Sequence, residues 1–181
     1  MLGGAMRQLF ALAVSLLLVT VSGALAQGSA KPPPSSPSSS DIVDKLTPPP
    51  PGGTPRSLTR GRVTIEAPPT IDMRIQFEID SAKLDAVGIA LVDKLGTALT
   101  DPKLAAYRFE IAGHSDATGD GEYNLRLSTQ RANAVRDYLI AKHSIAPERL
   151  SAMGYGSSKP LNAGSPSDPL NRRVQITNLG R

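Results

Sequence analysis

Apolar and polar residues alternate most strictly over Ile71, Met73, Ile75, Phe77 and Ile79, with Asp72, Arg74, Gln76 and Glu78 between them. Period two predicts a half-buried strand there. Asp80-Ser81 then offers a cap for a helix whose apolar face is Leu84, Val87, Leu91, Leu95 and Ala98, closed by Gly96 and Asp101-Pro102. A second alternation, Tyr107, Phe109, Ile111, runs over 107–112 and ends in Gly113-His114. After a polar loop, Leu125, Ser128, Ala132, Val135 and Leu139 fall at helical spacing. Strands are predicted over Leu150–Tyr155 and over Arg172–Leu179, with Val174 and Ile176 facing inward, and a short one at Val63 and Ile65. Strands alternating with helices, then two strands without a full helix between them, predict an α/β fold. It is a two-layer βαβαββ sandwich with a mixed sheet and helices on one face.

The pattern fades upstream. Residues 1–26 read as a secretory signal: Arg7, an apolar run from Leu9 to Val21, and Ala24-Leu25-Ala26 before a cut at Gln27. A retained anchor is the other reading of the same run. Residues 27–60 carry most of the 16 prolines and read as a Pro/Ser/Gly-rich linker, dispensable to the domain over 61–181. Within it, Ile42–Leu46 is an apolar island, either a docking peptide for a protein partner or a turn of helix against the domain.

The net charge of +4 is scattered, without Lys/Arg runs, and gives no argument for nucleic acid. The absence of cysteine excludes disulfides, thiol catalysis and an acylated N-terminal cysteine.

The chemistry gathers between strand and long helix. Asp116 lies in the loop and Arg131 on the helix, beside its apolar stripe. A helix start attracts anions through its unpaired N–H groups. Flanked by an acid and a base, it suits a ligand that carries both an ammonium and a carboxylate. Asp116, Thr118, Asp120 and Gly121 also fit positions 1, 3, 5 and 6 of a calcium loop, but position 12 is Leu127, so no calcium or other metal is expected. His114 and His143 lack metal-site spacing and read as structural. No nucleophile motif accompanies His114, so a binding module without cofactor is expected rather than its rival, a hydrolase or amidase using His114 with Asp116.

Gly113-His114-Ser115-Asp116, then Tyr123-Asn124, Leu127-Ser128, Arg131-Ala132, Ala134-Val135, Gly154-Tyr155-Gly156 and Asn171-Arg172-Arg173-Val174, resemble the OmpA-like peptidoglycan-binding domain over roughly residues 71–178. The family more often has threonine at Ser115; both residues carry a hydroxyl. The resemblance implies non-catalytic, non-covalent binding of peptidoglycan in the periplasm or cell envelope. It implies that Asp116 and Arg131 hold the diaminopimelate of the stem peptide and that Asn124 lies at the groove. Either arginine of the Arg172-Arg173 pair could face that groove, since alternate residues of a strand point to opposite faces.

Overall fold

The structure is a computed structural model that describes residues 36–49 and 67–181. The expected signal at 1–26 and the strand at Val63 and Ile65 lie outside the described residues. The elements are α1 (Ser39–Leu46), β1 (Thr70–Met73), α2 (Ala86–Leu99), β2 (Arg108–His114), α3 (Gly121–His143), β3 (Leu150–Gly156) and β4 (Arg173–Gly180). The sheet order is β1-β4-β2-β3. The β2–β3 pair is parallel and is joined through α3, while β4 runs antiparallel to both β1 and β2. The expected mixed βαβαββ sheet is therefore present, with an additional helix before it.

One sheet face supplies the core. Ile71, Met73, Phe109, Ile111, Leu150, Val174 and Ile176 are buried with Leu91, Val92, Leu95 and Leu99 of α2 and Ala132, Val135 and Leu139 of α3. On α3 the buried stripe begins at Asn124, and Leu125, placed on the stripe by spacing alone, is half exposed.

The first strand is shorter than its alternation predicts. β1 pairs with β4 only as far as Met73 and Val174, one residue short of the start of β4 at Arg173, and the chain beyond Met73 leaves the ladder. Ile75 is still buried and Phe77 bridges to Leu84, but Ile79 is 98% exposed. Asp80 takes a left-handed backbone (φ 53) at the tip of this turn instead of capping a helix. The cap is Asp85, whose carboxylate accepts from Gly88 N–H at 2.7 Å, and Val87 consequently faces solvent.

Within the linker expected over 27–60, Ser39–Leu46 is a helix against the domain, the second of the two readings of the apolar island. Ser38 and Asp41 form a capping box, and α1 belongs to the same compact unit as the sheet. Ile42 and Leu46 are fully buried, Val43 nearly so, and the Leu46 carbonyl accepts from the Asn178 side-chain amide at 2.8 Å. The side chains that a docking peptide would offer to a partner are thus spent on the domain's own core.

Candidate functional site

The groove forms where β2 ends and α3 begins. Two glycines let α3 lie almost on the sheet. A Cβ at Gly113 would fall 2.2 Å from the Ser128 carbonyl oxygen, and one at Gly154 would fall 2.1 Å from Thr129 Oγ1. Ser128 Oγ accepts from Gly156 N–H at 2.9 Å and donates to Leu125 O at 2.9 Å, which ties helix to strand. Asp120 caps α3 by accepting from Tyr123 N–H at 2.7 Å. Helical phase then sets Arg131 one turn beyond Ser128, at the groove.

The loop between strand and helix is held by backbone contacts. Ser115 N–H donates to Gly156 O and Ala117 N–H to Pro166 O, both at 2.9 Å. The Asn124 amide donates to Thr118 O at 2.8 Å and, more loosely, to Asp116 O at 3.4 Å. Asn124 does line the groove, but its donors are spent on holding the loop.

Asp116 is only 3% exposed. Burial pushes its carboxyl up, but the Thr118 hydroxyl and N–H and the Arg172 guanidinium outweigh burial and hold it below the ordinary carboxylate range. The Thr118 N–H donates to Oδ1 at 3.0 Å, and Arg172 Nη1 lies 2.5 Å from Oδ2. The Thr118 hydroxyl also donates to Oδ1.

Arg131 is held differently. Its Nε donates to Ser81 O at 2.9 Å and its guanidinium stacks 5.0 Å from the Phe77 ring centroid. Among the described residues no carboxylate lies within ion-pairing distance of it. Burial pulls its pKa down; Tyr123 and Asp80 oppose that, and the like charge of Arg172 adds to it.

Asp116, Asn124 and Arg131 come together on one groove of about 330 Å³, which Asp80, Tyr123 and Arg172 also line. The Tyr123 hydroxyl donates to Asp80 and closes one side. Of the two arginines before β4, Arg172 meets Asp116, and Arg173 turns to the far sheet face and pairs with Asp72 at 2.7 Å. Sequence reasoning left the choice between Arg172 and Arg173 open and missed Asp80 as a lining residue. The only signal for Arg172 was the Arg-Arg pair at a strand start, which guarantees that one of the two faces each way.

The two histidines differ in setting: His114 lines the groove, and His143 lies at the contact between α2 and α3. His114 stacks on Tyr155 with ring centroids 5.5 Å apart; burial first and Arg173 second push its pKa down to about 4. His143 meets Asp93 at 2.9 Å and joins α3 to α2.

The OmpA family signature matches residues 76–173, more than half of the 181-residue chain. The chain belongs to the OmpA family. It is 32% identical over 107 residues to outer membrane porin F of Pseudomonas aeruginosa, a match covering 58% of this chain and 30% of the porin. It is 38% identical over 88 residues to a peptidoglycan-associated lipoprotein of Rhizobium meliloti, covering 49% of this chain and 48% of the lipoprotein. These curated relatives are therefore matched over only a third to a half of their length. Among solved structures it is similar to the cell wall anchor of the T6SS from Pseudomonas aeruginosa (28% identity, TM-score 0.52), covering 62% of this chain and 81% of that one. The OmpA-like fold expected from the sequence is the fold observed.

Proposed function

We propose that this OmpA family domain binds peptidoglycan non-covalently and without catalysis, through the zwitterionic side-chain end of diaminopimelate in the stem peptide. The observation that carries this reading is the state of Arg131. Its Nη donors have no carboxylate partner among the described residues, yet it is drawn out of water beside Phe77 and opens on the same groove as Asp116. A partly buried guanidinium left with free donors is costly unless an anion completes it. A ligand carboxylate does so through the planar fork. Asp116 receives three hydrogen bonds from Thr118 and Arg172. A carboxylate has about four acceptor positions, so one stays open for the ligand ammonium.

Relatives named for association with peptidoglycan or a cell wall support the choice of ligand. The relatives named for the outer membrane support a place in the cell envelope. Export by a signal cut after Ala26 completes the reading, and Gln27 is the expected mature N-terminus.

Titration with a stem tripeptide containing diaminopimelate tests the site. Asp116→Ala and Arg131→Ala are each expected to weaken binding by about thirtyfold or more. The same tripeptide with lysine in place of diaminopimelate lacks the side-chain carboxylate and should bind weakly to the unaltered protein. Unchanged affinity in both folded alanine variants overturns the assignment.

A further inference from the structure

Arg172 stands apart from the other charges at the groove. Its side chain is 55% exposed while its partner Asp116 is 4% exposed, and the pair uses only one of its nitrogens, Nη1. A guanidinium carries five N–H groups, so most of its donors remain over. Arg131 spends only Nε, on Ser81 O. Both arginines line the groove, and both also line a smaller hollow of about 30 Å³ beside Phe77 and Ser128. That space holds one or two waters, or the oxygen of a carboxylate.

We propose that Arg172 is a specificity-determining residue, which with Arg131 clamps one ligand carboxylate so that an oxygen of it sits in the hollow both side chains line. The clamp rests on the peptidoglycan reading above and deepens it, since it assigns the carboxylate to two arginines rather than one. The two guanidiniums line one space and their like charges repel, as the lowering of Arg131 by the charge of Arg172 reflects. A bound anion removes that repulsion and fills donors on both, whereas the ammonium gains nothing from either.

The position of Arg172 is built rather than incidental. Arg173, next along the chain, is fixed by Asp72, and Asn171 before it is fully buried, its amide donating to Ser165 O and Pro166 O at 3.0 and 2.9 Å. The backbone is thereby pinned on both sides, and the Arg172 side chain reaches Asp116 from a fixed root.

A merely positional role, in which Arg172 only holds Asp116 for the ammonium, gives a different result in a two-ligand titration. The full chain and its Arg172→Gln and Arg172→Lys variants are titrated with the diaminopimelate tripeptide and with the lysine tripeptide, folding being checked by circular dichroism. The clamp requires Arg172→Gln to lose about tenfold or more on the first ligand and less than about twofold on the second. Arg172→Lys keeps a charge beside Asp116 but not the fork, so it should fall between the two. Equal losses on both ligands overturn the clamp and leave Arg172 as a support for Asp116. Unchanged affinity of Arg172→Gln, with Arg131→Ala still impaired, overturns the clamp alone. Failure of the unaltered chain to prefer the diaminopimelate tripeptide overturns both the clamp and the reading it rests on.

Discussion

The two ends of the domain are held together by different physics. At the α1 corner, Ile42, Val43 and Leu46 close the core over α2 and β1, and Asn178 adds a polar contact to Leu46 O. At the groove, apolar side chains give way to hydrogen bonds that link separate segments: Ala117 to Pro166, Asn124 to Thr118, Asn171 to Ser165, Pro166 and Asn162. Burial stabilises in proportion to area and tolerates small shifts. Hydrogen-bonded loops depend on direction and distance, and leave a costly orphan when one partner goes. The first end therefore sets how stable the domain is, and the second sets where its charges stand.

The largest expected effect breaks the first end without touching the second. Leu46→Ala removes a fully buried side chain and should cost about 2–5 kcal/mol, read as a lower urea midpoint. Affinity for the diaminopimelate tripeptide, measured well below the melting range, should not change. Weaker binding in proportion to the lost stability would deny the separation. Gly154→Ala should do the opposite. A methyl there meets Thr129 and Ser128 of α3, so the helix must move off the sheet. Overpacking of this kind costs about 1–3 kcal/mol and carries Arg131 with it, so stability and affinity should fall together.

A third variant sharpens the groove's side. Asn171→Ala removes the amide that donates to Ser165 O and Pro166 O and the oxygen that accepts from Asn162 N–H. The orphaned backbone groups should cost about 1–3 kcal/mol. No ligand-facing charge is altered, yet affinity should drop, because Pro166 O positions Ala117, next to Asp116. Full affinity in this variant would mean that the loop contacts stabilise without positioning.

The same contrast explains what was legible in the sequence. Burial repeats with the period of its element, so the alternation through Ile71–Phe77 and the stripe from Ser128 to Leu139 could be read directly. Helix α1 was legible only as one of two readings of Ile42–Leu46, because three apolar residues in a proline-rich stretch are too few for a period, although Ser38 and Asp41 carried its cap. The end of β1 was hidden because it depends on pairing with β4, about a hundred residues later. Asp116 and Arg131 stood out through a multi-part motif. The pairing of Asp116 with Arg172 did not, since contacts between side chains 56 residues apart leave no local periodicity.

The smallest expected effect concerns acid. Asp116 is held below the usual carboxylate range, burial being outweighed by Thr118 and Arg172. A group whose folded pKa is depressed stabilises above its unfolded pKa, about 3.9, and loses that contribution as pH falls through the folded value. Asp116 should thus add nothing to pH dependence near neutrality and should steepen the loss of stability below about pH 4. Asp93 at the α2–α3 contact behaves the same way, chiefly through its bond with His143, so the acid limb contains both. Urea midpoints between pH 5 and pH 2 separate them. Asp116→Asn should flatten part of the limb, and Asp93→Asn another part. Because Arg172 is more than half exposed, salt should screen its share at Asp116 while the Thr118 share persists. A limb in Asp116→Asn as steep as in the unaltered chain would show that the carboxylate is not held in its ionised form by the fold.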